Sequence, residues 1–252
     1  MENSNFSFNQ ELQGIENKTV SLHEYRCSQT AKIGCNDCKG CNQCCENMGN
    51  SIVLDPYDMW MLTSNLRLAG NTPVTYEILT CEDGPLELSN HNGLILPNIK
   101  MVVDDRPGHS HFDTGICPFL NVDGRCTIHS IRTGLCRLYP LGRNFYPDKI
   151  TYFVLTEELG CPSKKKSYVK ISDWLEIPDM EKYEAFQLKW HNLKKEVLVK
   201  MQALNHSMEE QKTFLLHFLK TFYQTPYSSK LYQEFYQEFE QRLLEFTKQF
   251  FS

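Results

Sequence analysis

The 252-residue chain has no long apolar run. Its hydrophobic stretches fall well short of the roughly 20 consecutive apolar residues that a membrane-spanning helix needs. Its first residues, Met-Glu-Asn-Ser-Asn-Phe-Ser, lack the basic start and apolar centre of a secretion signal. The expectation is a cytoplasmic protein with no membrane partner. Basic charge is scarce too. With 26 Lys+Arg against 31 Asp+Glu the net charge is −5, and the pI is near 5.9. That balance excludes the basic stripe that nucleic-acid binding requires, so no nucleic-acid partner is expected. The one basic run, Lys164-Lys165-Lys166, reads as a solvated loop. No glycine-rich strand–turn–helix marks a dinucleotide or methyltransferase fold, and no segment repeats.

Cysteine, by contrast, is plentiful. There are 11, and five fall between residues 35 and 45, in Cys35-Asn-Asp-Cys38-Lys-Gly-Cys41-Asn-Gln-Cys44-Cys45. Thiols this crowded must be oxidised in pairs or deprotonated onto a metal. Neighbours two residues apart rarely all meet disulfide geometry, whereas C-x2-C loops suit a metal ion or an iron–sulfur cluster. A reducing compartment and an odd cysteine total both favour metal ligation or reactive thiols. With 41% hydrophobic residues the chain can build a core without disulfides.

A looser second block runs Cys117-Pro-Phe-Leu, Gly124-Arg125-Cys126-Thr-Ile-His129 and Leu135-Cys136-Arg137-Leu-Tyr-Pro140, with Cys161-Pro162 further on. Two blocks far apart in the chain, closing on one site, would couple metal binding to folding. Cys38, Cys41, Cys44, Cys45, Cys117, Cys126, Cys136 and Cys161 make eight candidate ligands, and Cys35 is a ninth. Eight thiolates fill two four-cysteine zinc sites, or one [4Fe–4S] cluster with four left for a second centre. Cys35-x2-Cys38-x2-Cys41-x3-Cys45 also follows the ferredoxin spacing, with Glu46 in place of the usual proline.

The periodicity predicts a helix-rich α+β fold with short strands, irregular and organised around metal, carrying a helical C-terminal tail. Residues 1–34 read as a polar arm or short helix, 35–175 as the cysteine-cluster domain, and 176–252 as the helical region. Ser51–Leu54 reads as a strand. Asp55-Pro56 opens a helix with Met59, Leu62, Leu66 and Leu68 on one face and Gly70 beyond its end, and Thr72-Pro73 opens a second helix reaching Leu79. Leu94–Leu96 and Ile99–Val103 read as a hairpin turning at Pro97-Asn98, and Ile150–Leu155 as a strand. Residues 105–148 read as mostly loop with one short helix. From Asp179 onward three amphipathic helices present stripes that include Tyr183, Phe186, Trp190, Phe214, Phe218, Phe222, Phe235, Phe239 and Phe246, read as a packing face.

Clustered thiolates are anionic and need cations nearby. Arg125, Arg132, Arg137 and Arg143 lie in or beside the second block. They are either ordinary surface arginines or groups that tune the site and hold an anionic cofactor or substrate. His109 and His111, and His129 three residues after Cys126, are further candidate ligands, while Cys27 and Cys81 read as thiols outside the site.

The string Cys38-x2-Cys41-x2-Cys44-Cys45, followed by Cys117-Pro-Phe-Leu, Gly124-Arg125-Cys126, Arg132-x2-Leu135-Cys136-Arg137-Leu-Tyr-Pro140 and Gly160-Cys161-Pro162, resembles the YkgJ-type cysteine-cluster family. The resemblance covers residues 38–162 and implies zinc or iron chelation by those cysteines. It also singles out Arg132 and Arg137 among the arginines as candidates for cofactor binding. The flagellin lysine N-methylases are similar through the same cysteines. That likeness implies S-adenosylmethionine as a cofactor and a lysine-bearing protein as a substrate. A redox or electron-transfer role is a third possibility if the metal is iron.

Overall fold

The structure is a computed structural model that describes residues 23–34, 42, 45–46, 48–103, 115–155, 166–204 and 207–251. It is a helix-rich α+β fold with short antiparallel strand pairs and a helical C-terminal region, as the periodicity predicts. Among the described residues the strands form four two-stranded sheets. β1 (Thr30–Gly34) pairs with β8 (Ser167–Lys170), and β2 (Leu86–His91) with β3 (Leu94–Ile99). β4 (Val102–Val103) pairs with β5 (Gly115–Ile116), and β6 (Leu141–Phe145) with β7 (Ile150–Val154). The helices are α1 (Pro56–Asn65), α2 (Tyr76–Thr80), α3 (Gly134–Leu138), α4 (Ile171–Leu175), α5 (Met180–Ala203), α6 (Met208–Leu219), continued by a π-helical turn Lys220–Gln224, and α7 (Tyr232–Phe250).

Asp55 caps α1 and Pro56 fills its first turn. Asp58 completes a capping box by accepting from the Asp55 N–H, so two main-chain donors at this buried helix start are satisfied. α1 ends at Asn65, one turn before the expected end, because the extended backbone at Leu66 stops it. Gly70 instead takes a φ of 73° inside a short 3-10 turn, Ala69–Asn71. The second helix starts later than Thr72-Pro73 predicts, on Thr75, whose side chain caps α2.

The hairpin differs from expectation. It turns at Asn92-Gly93, with φ of 55° and 95°, and Pro97 and Asn98 lie inside β3. Asn-Gly at two positive-φ positions suits a tight hairpin turn, and that signal outweighs Pro97-Asn98. Pro97 is tolerated because residues 97 and 99 direct their backbone groups away from β2. The Pro97 carbonyl accepts from the Leu54 N–H at 2.9 Å, and the Ile99 N–H donates to Ile52 at 3.0 Å. Ser51–Leu54 accordingly contributes a single bridge, Val53 to Asn98, rather than a full strand. Residues 30–34 form a strand rather than an arm, and the stretch expected to be mostly loop also contains β6.

The C-terminal helices supply much of the core. Tyr57 of α1 stacks on Tyr236 of α7 with centroids 5.9 Å apart, and Trp60 stacks on Phe235 at 5.1 Å. Trp190 of α5 stacks on Phe218 at 5.4 Å. Each such pair adds about 0.5–1.5 kcal/mol beyond its buried area. Trp60 Nε1 donates to the Ser229 carbonyl and Tyr223 Oη to the Leu54 carbonyl, both at 2.9 Å. The aromatic stripes are therefore packing faces. One buried hydrophobic cluster runs from Ala31 through Cys117 and Leu138 to Phe246.

Candidate metal centre

The two cysteine blocks meet at the backbone. Glu46 bridges Ile116 of β5, and the Cys117 N–H donates to the Cys45 carbonyl at 2.7 Å. The end of the first block is thereby clipped to the start of the second, 72 positions later by number. Cys117 is buried. Beyond it the chain folds back in a tight loop. The Leu120 N–H reaches the Cys117 carbonyl at 3.0 Å, and Leu120 bridges Cys126. The Asn121 side-chain carbonyl accepts from the N–H groups of Asp123 and Arg125, and Gly124 takes a φ of 69°. The Asn121…Gly124 pattern is turn chemistry, and its effect is to return Cys126 toward Cys117.

Cys136 is held differently. Thr133 caps α3, and its hydroxyl both accepts from the Cys136 N–H and donates to Cys136 Sγ at 3.2 Å. A hydroxyl donating to sulfur favours the thiolate, the form that binds metal. The start of α3 is anchored in turn by Asp58 of α1, whose Oδ1 accepts from the Gly134 N–H at 2.7 Å. Burial, and then the neighbouring Asp55, push the Asp58 carboxyl well above the usual carboxylate range.

Cys35, Cys38, Cys41, Cys44 and Cys161 lie outside the described residues, as do His109 and His111. Of the expected ligands, Cys45, Cys117, Cys126 and Cys136 are described, and no three metal-binding side chains gather among the described residues alone. Nor does any described cysteine pair with another in a disulfide. These four side chains lie in the core or pack against it. Soft sulfur donors with a hydroxyl aimed at one of them fit zinc or iron.

Arg137 lies 5% exposed and fully engaged. Its Nε donates to the Arg132 carbonyl at 3.0 Å and its Nη2 to Ser130 at 2.6 Å, while Nη1 is shared between the carbonyls of Leu175 and Glu176. The Glu176 carboxylate stands 3.7 Å away. Arg132 Nη1 faces His129 Nε2 at 2.7 Å, and Nη2 pairs with the same carboxylate at 3.5 Å. Both arginines thus hold the 129–137 segment onto the α4 end. Arg125 is exposed. Cys81 is exposed at the C-terminal end of α2, and Cys27 sits beside Glu184, where burial first and that carboxylate second push its thiol up. Beyond Arg137 a groove of about 780 Å³ opens between α1 and residues 224–232, lined in part by Tyr57, Trp60, Tyr76, Glu176 and Tyr232.

Sequence reasoning passed over Thr133 and Asp58, which set the position of Cys136. The signal for Asp58 was its place three residues after Asp55, the capping-box spacing.

A cysteine-rich α+β fold whose two cysteine segments are joined at the backbone is the scaffold of a metal-chelating protein. The model of the CxxCxxCC family, described as "Putative zinc- or iron-chelating domain", matches residues 37–162, half of the chain. The chain belongs to that family. No curated protein and no solved structure matches it. No helix among the described residues is long and apolar enough to cross a membrane.

Proposed function

We propose that this protein holds zinc or iron through the thiolates of Cys38, Cys41, Cys44, Cys45, Cys117, Cys126, Cys136 and Cys161, with Cys35 beside them. The observation that carries this reading is the 2.7 Å hydrogen bond from the Cys117 N–H to the Cys45 carbonyl, which ties the two segments of the family motif together. The Thr133 hydroxyl on Cys136 Sγ supports it. Zinc there supplies a structural tie or a Lewis acid, and iron supplies one-electron chemistry. The chain's own part is to bury the sulfurs, to donate a hydrogen bond to Cys136, and to lock the 129–137 segment through Arg132 and Arg137.

The test is anaerobic purification followed by elemental analysis and an absorption spectrum. Stoichiometric zinc in a colourless protein, or iron with thiolate charge-transfer bands, supports the reading. Bands that bleach with dithionite identify the redox form of it. Cys45→Ser and Cys136→Ser each lower metal content. Unchanged metal stoichiometry in both overturns the proposal. Methyl transfer from S-adenosylmethionine to a lysine-bearing protein rests on resemblance alone, and absence of labelled protein after incubation with the labelled donor and cell extract removes it.

A further inference from the structure

One wall of the groove beyond Arg137 is irregular chain, and it is held from both sides. Arg242 of α7 lies over the Tyr227 ring, 3.8 Å from its centroid. Its guanidinium donates to the carbonyls of Thr221 and Thr225, both at 2.8 Å, and of Pro226 at 2.7 Å. Glu238 of α7 accepts from the N–H groups of Ser228 and Ser229 at 2.9 and 3.3 Å. From the facing helix, Trp60 Nε1 binds the Ser229 carbonyl. The wall is therefore set by the fold itself, as small-molecule sites commonly are. The volume of about 780 Å³ lies within the range of about 300–1,000 Å³ usual for such sites.

The charged groups that line the groove are committed or lie at its rim. Arg137 is spent on its four carbonyls, and Glu176 pairs with Arg132 and Arg137. Arg67 Nη1 donates to the Leu66 carbonyl at 2.6 Å, and Arg67 and Lys230 are both exposed. Two hydroxyls are not committed. Ser229 is 8% exposed and its N–H and carbonyl are engaged, yet its Oγ makes no hydrogen bond. Tyr76 is 7% exposed, and its Oη, beside the Gln224 side chain, makes none either. Both residues line the groove. A buried hydroxyl without a partner is costly. The Tyr76 and Tyr232 rings contact no other aromatic ring among the described residues, and Met59 and Met61 add polarisable thioethers to the lining.

We infer that this groove binds an uncharged, flat aromatic ligand that carries hydrogen-bond acceptors. With no free countercharge inside, a charged ring would lose its water uncompensated. The uncommitted hydroxyls offer O–H donors, which a carbonyl oxygen on the ligand accepts. Tyrosine and tryptophan rings and thioethers favour a flat, polarisable ring over an aliphatic group of the same size. Arg137 lines the groove and follows Cys136 in the chain, so the site adjoins the cysteine segment without depending on its metal.

The experiment is NMR titration of the full-length, metal-loaded protein, labelled at its methionine methyl groups, with three two-ring probes. Coumarin is uncharged and carries a carbonyl acceptor, naphthalene has no acceptor, and 2-naphthoate is charged. Coumarin shifts the Met59 and Met61 signals saturably and leaves that of Met208, which is 85% exposed on α6, in place. Naphthalene binds at least threefold more weakly than coumarin, and 2-naphthoate at least tenfold. Ser229→Ala weakens coumarin at least threefold. The methionine shifts are read in the wild-type protein, where folding of a variant is not at issue. Coumarin that leaves Met59 and Met61 unmoved, or that shifts Met208 equally, overturns the inference. So does 2-naphthoate binding as tightly as coumarin, which would mark a site for anions, or naphthalene binding as tightly, which would mark a merely greasy surface. Unchanged coumarin affinity in Ser229→Ala overturns the donor role of that hydroxyl and with it the call for an acceptor.

Discussion

Arg137→Lys keeps the charge and removes the fork. The native guanidinium reaches carbonyls on two sides: Ser130 and Arg132 on one, Leu175 and Glu176 on the other. A lysine ammonium donates from a single point and can serve one side only. Two carbonyls then lose their donor in a site where the side chain is 5% exposed. At about 1–1.5 kcal/mol for each bond, Arg137→Lys costs about 2–3 kcal/mol. Arg137→Met leaves all four unserved and costs about 4–6 kcal/mol, less whatever water recovers. For a chain of this size, about 2–4 °C of Tm per kcal/mol predicts a fall of roughly 4–12 °C for Arg137→Lys. The assay is denaturant unfolding of metal-loaded protein at fixed metal concentration, since metal binding itself adds stability. Because Cys136 precedes Arg137, metal loss should begin at lower denaturant in both variants. If Arg137→Lys lies within 0.5 kcal/mol of wild type while Arg137→Met is severely destabilised, charge alone suffices and the four-carbonyl clamp is the wrong account.

Thr133→Val removes the cap of α3 and the donor to Cys136 Sγ; it should cost about 1 kcal/mol and weaken metal binding about tenfold, whereas Thr133→Ser retains both. Chelator competition reads the difference, and equal affinities for the two variants would refute a role for the hydroxyl. Gly142 faces Phe153 across the β6–β7 pair, and a Cβ there would meet the ring at 2.2 Å; Gly142→Val should cost about 2–3 kcal/mol by calorimetry, and a neutral result would show that the ring can yield. His191 sets a pH dependence. Its folded value is about 4 against 6.5 for the free side chain, so between these limits the unfolded chain binds more protons, and stability falls as pH drops from about 6.5 towards 4. In His191→Phe that part of the slope disappears, and an unchanged difference curve across this window would count against the buried neutral imidazole.

Elements whose cause is local were legible in the chain. Asp55-Pro56 starts α1 because a capping oxygen and a preset φ act within four residues. The aromatic periodicity after Asp179 predicts α5, α6 and α7, since a stripe at helical spacing has to be buried to be stable. The Asn92-Gly93 turn was equally local, and the competing Pro97-Asn98 reading failed because proline is tolerated in a strand when its nitrogen faces away from the partner. β6 was not legible. Its sequence, Leu-Gly-Arg-Asn-Phe, alternates weakly and becomes a strand only because Ile150–Val154 returns beside it.

The cysteine spacing by itself pointed to the chemistry: thiols two residues apart rarely all meet disulfide geometry and suit a metal, and their flanking residues determined the family. Tertiary structure alone decided how the surrounding polar groups divide their work. Arg132 and Arg137 are spent on carbonyls, His129 and Glu176, while Arg143 lies over the Phe145 ring, and nothing in sequence distance separates these arginines. The physical reason is that a guanidinium is claimed by whatever acceptors the fold brings within 3 Å or so, and those acceptors come from remote parts of the chain. The same holds for Cys45 and Cys117, whose pairing through a backbone hydrogen bond no local pattern encodes.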